Sequence, residues 1–114
     1  MIRTIELETK DVTDWKSFHA TLKEALGFPD FYGRNGNAFI DCLTYDDDMM
    51  SVVPPRAGGL LAIKLKDSVD FYARCPEQFE ALVAWIAAVN DRRAESGTSP
   101  VGIIPENYSN STMT

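Results

Sequence analysis

Three short runs of apolar and β-branched side chains, separated by long stretches of helical periodicity, constrain this chain more than any other feature. Ile2–Leu7 (IRTIEL) reads as a first strand, residues 60–66 as a second and residues 101–104 as a third. In the second run Leu61, Ile63 and Leu65 share one face, while Ala62, Lys64 and Lys66 take the other. Each gap is long enough for a helical crossover, so the strands can lie parallel. The expected fold is α/β, a small three-stranded parallel sheet packed with about four helices.

Between the strands the helical signals are specific. Trp15, Phe18, Leu22 and Leu26 recur at helical spacing after Thr13 and Asp14, which offer N-cap oxygens, and Gly27 with Pro29 closes the segment. The aromatic stripe reads as core, and His19 beside it as a satisfied structural histidine. PDFYGRNG is turn chemistry. Asn35 suits the N-cap of a second helix over residues 36–43, with Ala38, Phe39, Cys42 and Leu43 facing inward. Asn37, Ile40, Asp41 and Thr44 follow one another on the outer face. Asp41 sits toward the helix C-terminus, where a carboxylate meets the negative end of the helix dipole. An acid in that place costs the free protein stability and is the first pointer to a site.

Residues 45–59 (YDDDMMSVVPPRAGG) read as a long connection. Asp67 or Ser68 can cap a short helical turn through Phe71, Tyr72 and Ala73. Pro76 opens a longer helix whose buried stripe is Phe79, Leu82, Val83, Trp85, Ile86 and Val89. Arg92 and Arg93 suit that helix's C-terminal dipole, and Gly97 ends it. Residues 1–106 are expected to form one domain, and residues 107–114 a flexible polar tail.

Composition narrows the function. The chain has 114 residues, 45% hydrophobic and 25% charged, with a net charge of −6. Nucleic acid and anionic membranes require a basic footprint, so neither is expected as a partner. Residues 1–50 hold ten acids against five bases, a balance of −5, which leaves −1 of the −6 for the remainder. An acidic half suits a basic partner. Cys42 and Cys75 read as reduced core residues. The start carries no apolar signal region, and no run approaches a membrane span, so a cytoplasmic monomer is expected.

No catalytic residue is expected. There is no G-x-S-x-G elbow, no P-loop and a single histidine, which leaves little for nucleophilic or phosphate chemistry. Asp46–Asp48 lack the EF-hand spacing, and no Cys/His cluster exists, so neither a metal nor another cofactor is expected. A binding surface, not an enzyme, is the better reading.

The same turn and helix carry a resemblance. FHATLKEALGFPDFYGRNGNAFIDCLT, residues 18–44, resembles the first helix, turn and second helix of the barstar family, intracellular inhibitors of the ribonuclease barnase. A weaker match runs over residues 61–86. The resemblance implies three parallel strands with helices. It also implies that the turn and second helix plug a nuclease active site. The acid matching Asp41 would enter the substrate-phosphate pocket and take charge-assisted hydrogen bonds from Arg and His side chains. The binding residues implied are Asp41, Asn37, Ile40 and Thr44 on the helix, with Phe31, Tyr32, Gly33 and Asn35 in the turn. Ile40 stands where the family has a contact aromatic, Asn37 where an acid is common, and Ala88 where the long helix carries a glutamate. The expected function is an intracellular inhibitor or immunity protein that blocks a basic ribonuclease or nuclease toxin. The alternative is an interaction module on the same fold whose partner is not a nuclease.

Overall fold

The computed structural model describes residues 2–44 and 60–106. The connection at 45–59, with its three aspartates, and the tail at 107–114 lie outside the described residues. The elements run β1 (Ile2–Leu7), α1 (Trp15–Leu26), α2 (Gly36–Thr44), β2 (Leu60–Leu65), α3 (Ser68–Arg74), α4 (Pro76–Glu95) and β3 (Val101–Pro105). This is the α/β architecture expected, a three-stranded parallel sheet with four helices.

The strands lie in the order β1-β2-β3, parallel throughout. Ile5 pairs with Ile63 and Ile63 with Ile103, so one face of the sheet carries a continuous apolar row. On that face Leu7, Leu61, Ile63, Leu65 and Val101 are buried. The opposite face carries Thr4, Glu6 and Ile104, which are exposed, and Lys64, which is half-exposed. There Lys66 Nζ lies 2.6 Å from Glu106 Oε1 and Lys64 Nζ 3.7 Å from Oε2. Among the described residues the helices cover the first face, and strands of alternating pattern suit a sheet with one apolar side.

Local chemistry sets the ends of α1. Asp14 Oδ1 accepts from Ser17 N–H at 2.8 Å while the Ser17 hydroxyl serves the Asp14 N–H, a reciprocal cap. The Ser17 N–H and hydroxyl, both donating to Asp14 Oδ1, hold its carboxyl below the usual range. Gly27, at φ 66°, takes the left-handed turn that ends the helix. Phe18, Leu22 and Leu26 are buried as expected, but Trp15 at the helix start remains 41% exposed. Asp67 occupies the cap position of α3 in a left-handed conformation without a side-chain cap bond, so it does not cap as its sequence position suggests. Val83 on α4, expected in the buried stripe, is exposed, and Arg93 at the helix end is buried. Arg74 anchors the loop after β1, donating to Val12 O at 2.7 Å and Thr9 O at 3.0 Å. No described helix is long and apolar enough to cross a membrane.

Candidate functional site: the outer face of α2

Helix α2 is short, nine residues, and would be marginal in isolation. Its rigidity comes from both ends. At the start, Asn35 Oδ1 accepts from Ala38 N–H at 2.8 Å, and Asn35 Nδ2 donates to Gly33 O at 3.3 Å. The turn residue Arg34 adopts φ 58° to make this entry. The Trp85 indole of α4 packs closely on Gly36. A Cβ there would come within 2.6 Å of Nε1, so only glycine admits the contact.

At the other end, the buried Arg93 donates from Nη1 to Leu43 O at 3.1 Å and to Thr44 O at 3.4 Å, and from Nε to Ser99 O. The last carbonyls of α2 are thus met by a cation supplied by α4. Trp85 at Gly36, Arg92 at Asp41 and Arg93 at Leu43 together fix α2 alongside α4, running in the same direction.

The middle of the helix buries Phe39, Cys42 and Leu43, and burial together with the nearby Asp41 carboxylate pushes the Cys42 thiol up. Both cysteines are free and buried. The outer face presents Asn37 and Asp41, with Phe31 in the turn 70% exposed and Gly33 open beside it. Asp41 Oδ1 accepts from Arg92 Nη1 at 2.9 Å, and both side chains stay about half exposed, 59% and 49%. The acid at the unfavourable end of α2 is therefore compensated twice, by Arg92 on its carboxylate and by Arg93 on the helix end.

Four of the eight residues singled out by sequence sit differently from an open contact surface. Ile40 is half-buried and packs on the core. Asn35 is exposed, but its amide is committed to the cap. Tyr32 is buried, with its hydroxyl 2.7 Å from His19 Nδ1, and burial pushes the phenol far above its ordinary pKa. Thr44 is a correction. It is buried and donates to Ile40 O at 2.6 Å, at the helix end whose carbonyls Arg93 meets. Neither Arg92 nor Arg93 carries a sequence signal for α2, since each lies about fifty residues away.

Among the described residues no group of His, Cys, Asp and Glu gathers to hold a metal ion. Among the described residues, Asp30 pairs with Lys23 at 3.2 Å and Asp41 with Arg92.

A family model described as Barstar (barnase inhibitor) matches residues 2–101. A protein of Bacillus subtilis (strain 168) named "Putative ribonuclease inhibitor YrdF" is 44% identical over 43 residues. That stretch is 38% of this chain and 47% of the relative, so the likeness spans about half of the relative's length.

Proposed function

The chain belongs to the barstar family, and on that footing we propose that it inhibits a basic ribonuclease by laying the Phe31–Gly33 turn and the outer face of α2 across the enzyme's active site. The observation that supports this best is Asp41, an exposed carboxylate on a helix pinned at both ends. A carboxylate presented rigidly can stand in for a substrate phosphate. It accepts charge-assisted hydrogen bonds from cations that the complex removes from water. Phe31, largely exposed on the adjoining turn, supplies an apolar anchor, and Asn37 a hydrogen-bonding amide. The net charge of −6 draws a basic partner toward the complex and speeds encounter at low salt.

No residue of this reading acts as a catalyst; the chemistry is occupation of another protein's site. The test is a ribonuclease assay against small basic ribonucleases, beginning with barnase, with and without Asp41→Ala. Inhibition that Asp41→Ala abolishes supports the reading, and undiminished inhibition by that variant would sink the role of Asp41.

A second reading is an interaction module with a non-nuclease partner. It is favoured by the Arg92 pair, which already satisfies Asp41 in the free protein. Absence of inhibition across such ribonucleases, with a stable complex to another protein, would select it.

A further inference from the structure

Next to the exposed face of α2, an open pocket of about 280 Å³ is lined by Trp15, His19, Arg34, Asn35, Gly36 and Trp85. Its side chains offer two free donors. Arg34 makes no ion pair or hydrogen bond among the described residues. The Trp85 indole N–H, poised over Gly36, likewise has no acceptor among them. Helix α2 starts here, and the N–H groups of Gly36 and Asn37 are left over by helix geometry. The acceptor at hand, Asn35 Oδ1, is taken by Ala38 N–H. His19 is 5% exposed, with Nδ1 engaged by the Tyr32 hydroxyl and Nε2 without a partner among the described residues.

A pocket walled by two indoles and furnished with donors discriminates for a negatively charged oxygen group. We propose that it takes a carboxylate side chain of the protein that docks on α2. The recognition surface is then bipolar, with an anion-accepting end at Arg34 and a cation-accepting end at Asp41. Gly36 and Asp41 are separated by five residues of α-helix, about 7.5 Å along its axis, so the partner must present its acid and its base close together. The inference rests on the reading above for the identity of the occupant. The preference for an oxyanion rests on the pocket's own residues.

The chain offers a direct readout. Trp15 and Trp85 are its two tryptophans and His19 its single histidine, so intrinsic fluorescence and the one imidazole signal both report on this pocket. The isolated protein is titrated at fixed ionic strength with the blocked peptide acetyl-Gly-Glu-Gly-amide, its glutamine counterpart and inorganic phosphate. We expect a saturable change in both signals with the glutamate peptide and none with the glutamine peptide. Arg34→Gln should weaken binding about tenfold, the loss of one charge-assisted contact, whereas Lys66→Gln, which removes a charge at the Glu106 ion pair, should leave it unchanged. A response that fails to saturate, is equal for the two peptides or survives Arg34→Gln overturns the proposal. Saturation by phosphate without the glutamate peptide overturns the occupant. If the glutamate peptide binds as expected while no ribonuclease is inhibited, the pocket stands and the ribonuclease reading falls. If a ribonuclease is inhibited equally by the protein and by Arg34→Gln, the pocket's role falls and the ribonuclease reading stands.

Discussion

Arg92, in the last turns of α4, sets its guanidinium 2.9 Å from the Asp41 carboxylate on α2, 51 residues away in the chain. The pair turns a helix-end acid that would cost stability into a neutral arrangement at the surface. It also means that any cation brought by a partner must share Asp41 with Arg92 or displace it.

Removing either member should therefore separate stability from binding. Both side chains are about half exposed, so Arg92→Ala should change unfolding free energy by no more than about 1 kcal/mol. Its effect on an inhibited ribonuclease should be a several-fold tighter inhibition constant, since the competing internal cation is gone. Asp41→Ala should weaken inhibition about a hundredfold or more, the behaviour of a central charged anchor. Inhibition constants for the two single variants and the double variant measure the competition directly. An Arg92→Ala variant that inhibits more weakly would show that Arg92 itself contacts the partner.

Arg93 should behave in the opposite way, as a residue of stability. It is 1% exposed, and its guanidinium holds the last carbonyls of α2 and Ser99 O. Arg93→Ala leaves those carbonyls buried without their donor and opens a cavity, a loss of about 3 kcal/mol. Arg93→Lys restores the charge but not the forked geometry and should recover only part. Urea denaturation of the three proteins checks the order.

Gly36→Ala should destabilise despite the higher helix propensity of alanine. The added Cβ would meet Trp85 at 2.6 to 3.0 Å over three indole atoms, so the ring must move. Overpacking of this kind costs about 1–3 kcal/mol. Because Trp85 is the obstacle, the fluorescence emission of the folded variant should shift along with its denaturation midpoint. An unchanged midpoint would mean that α2 and α4 can separate without penalty.

His19 gives the protein a pH-dependent component of stability. Burial, with the positive charge of Arg34 nearby, lowers its pKa from the usual 6.5. A lowered histidine pKa means that below 6.5 the unfolded chain binds a proton the folded one refuses. The contribution is complete above 6.5 and is lost as pH falls from there toward the lowered folded value. Chemical denaturation across this range should show the slope, and His19→Gln should flatten it. No other histidine exists to obscure the result.

Much of the framework could be read from local pattern. The apolar row of β2, the Asp14 start and Gly27 stop of α1, Asn35 as the cap of α2 and Pro76 at the head of α4 all depend on residues within a few positions of one another. Where the pattern misled, the cause was packing. Val83 continues the apolar stripe of α4 yet faces water, and Arg93, placed by its sequence position at the helix-end dipole, is buried as well. Thr44 shares helical spacing with Asn37 and Asp41, but it is buried and its hydroxyl turns back to Ile40 O. The pocket of Trp15, His19, Arg34 and Trp85 had no linear signature, since its walls come from two helices and a turn.

By itself, then, the sequence determined the elements, their order, the parallel sheet and the presence of Asp41 on a turn-fed helix. Hydrophobic period and capping chemistry act over three to seven residues and are written locally. Only the tertiary structure decided what surrounds that acid. Seating α2 against α4 placed Trp85 on Gly36, Arg92 on Asp41 and Arg93 under the helix end. It left Thr44 buried and Asn37 facing out. Those outcomes depend on the relative placement of two helices about fifty residues apart, a quantity that no local spacing encodes.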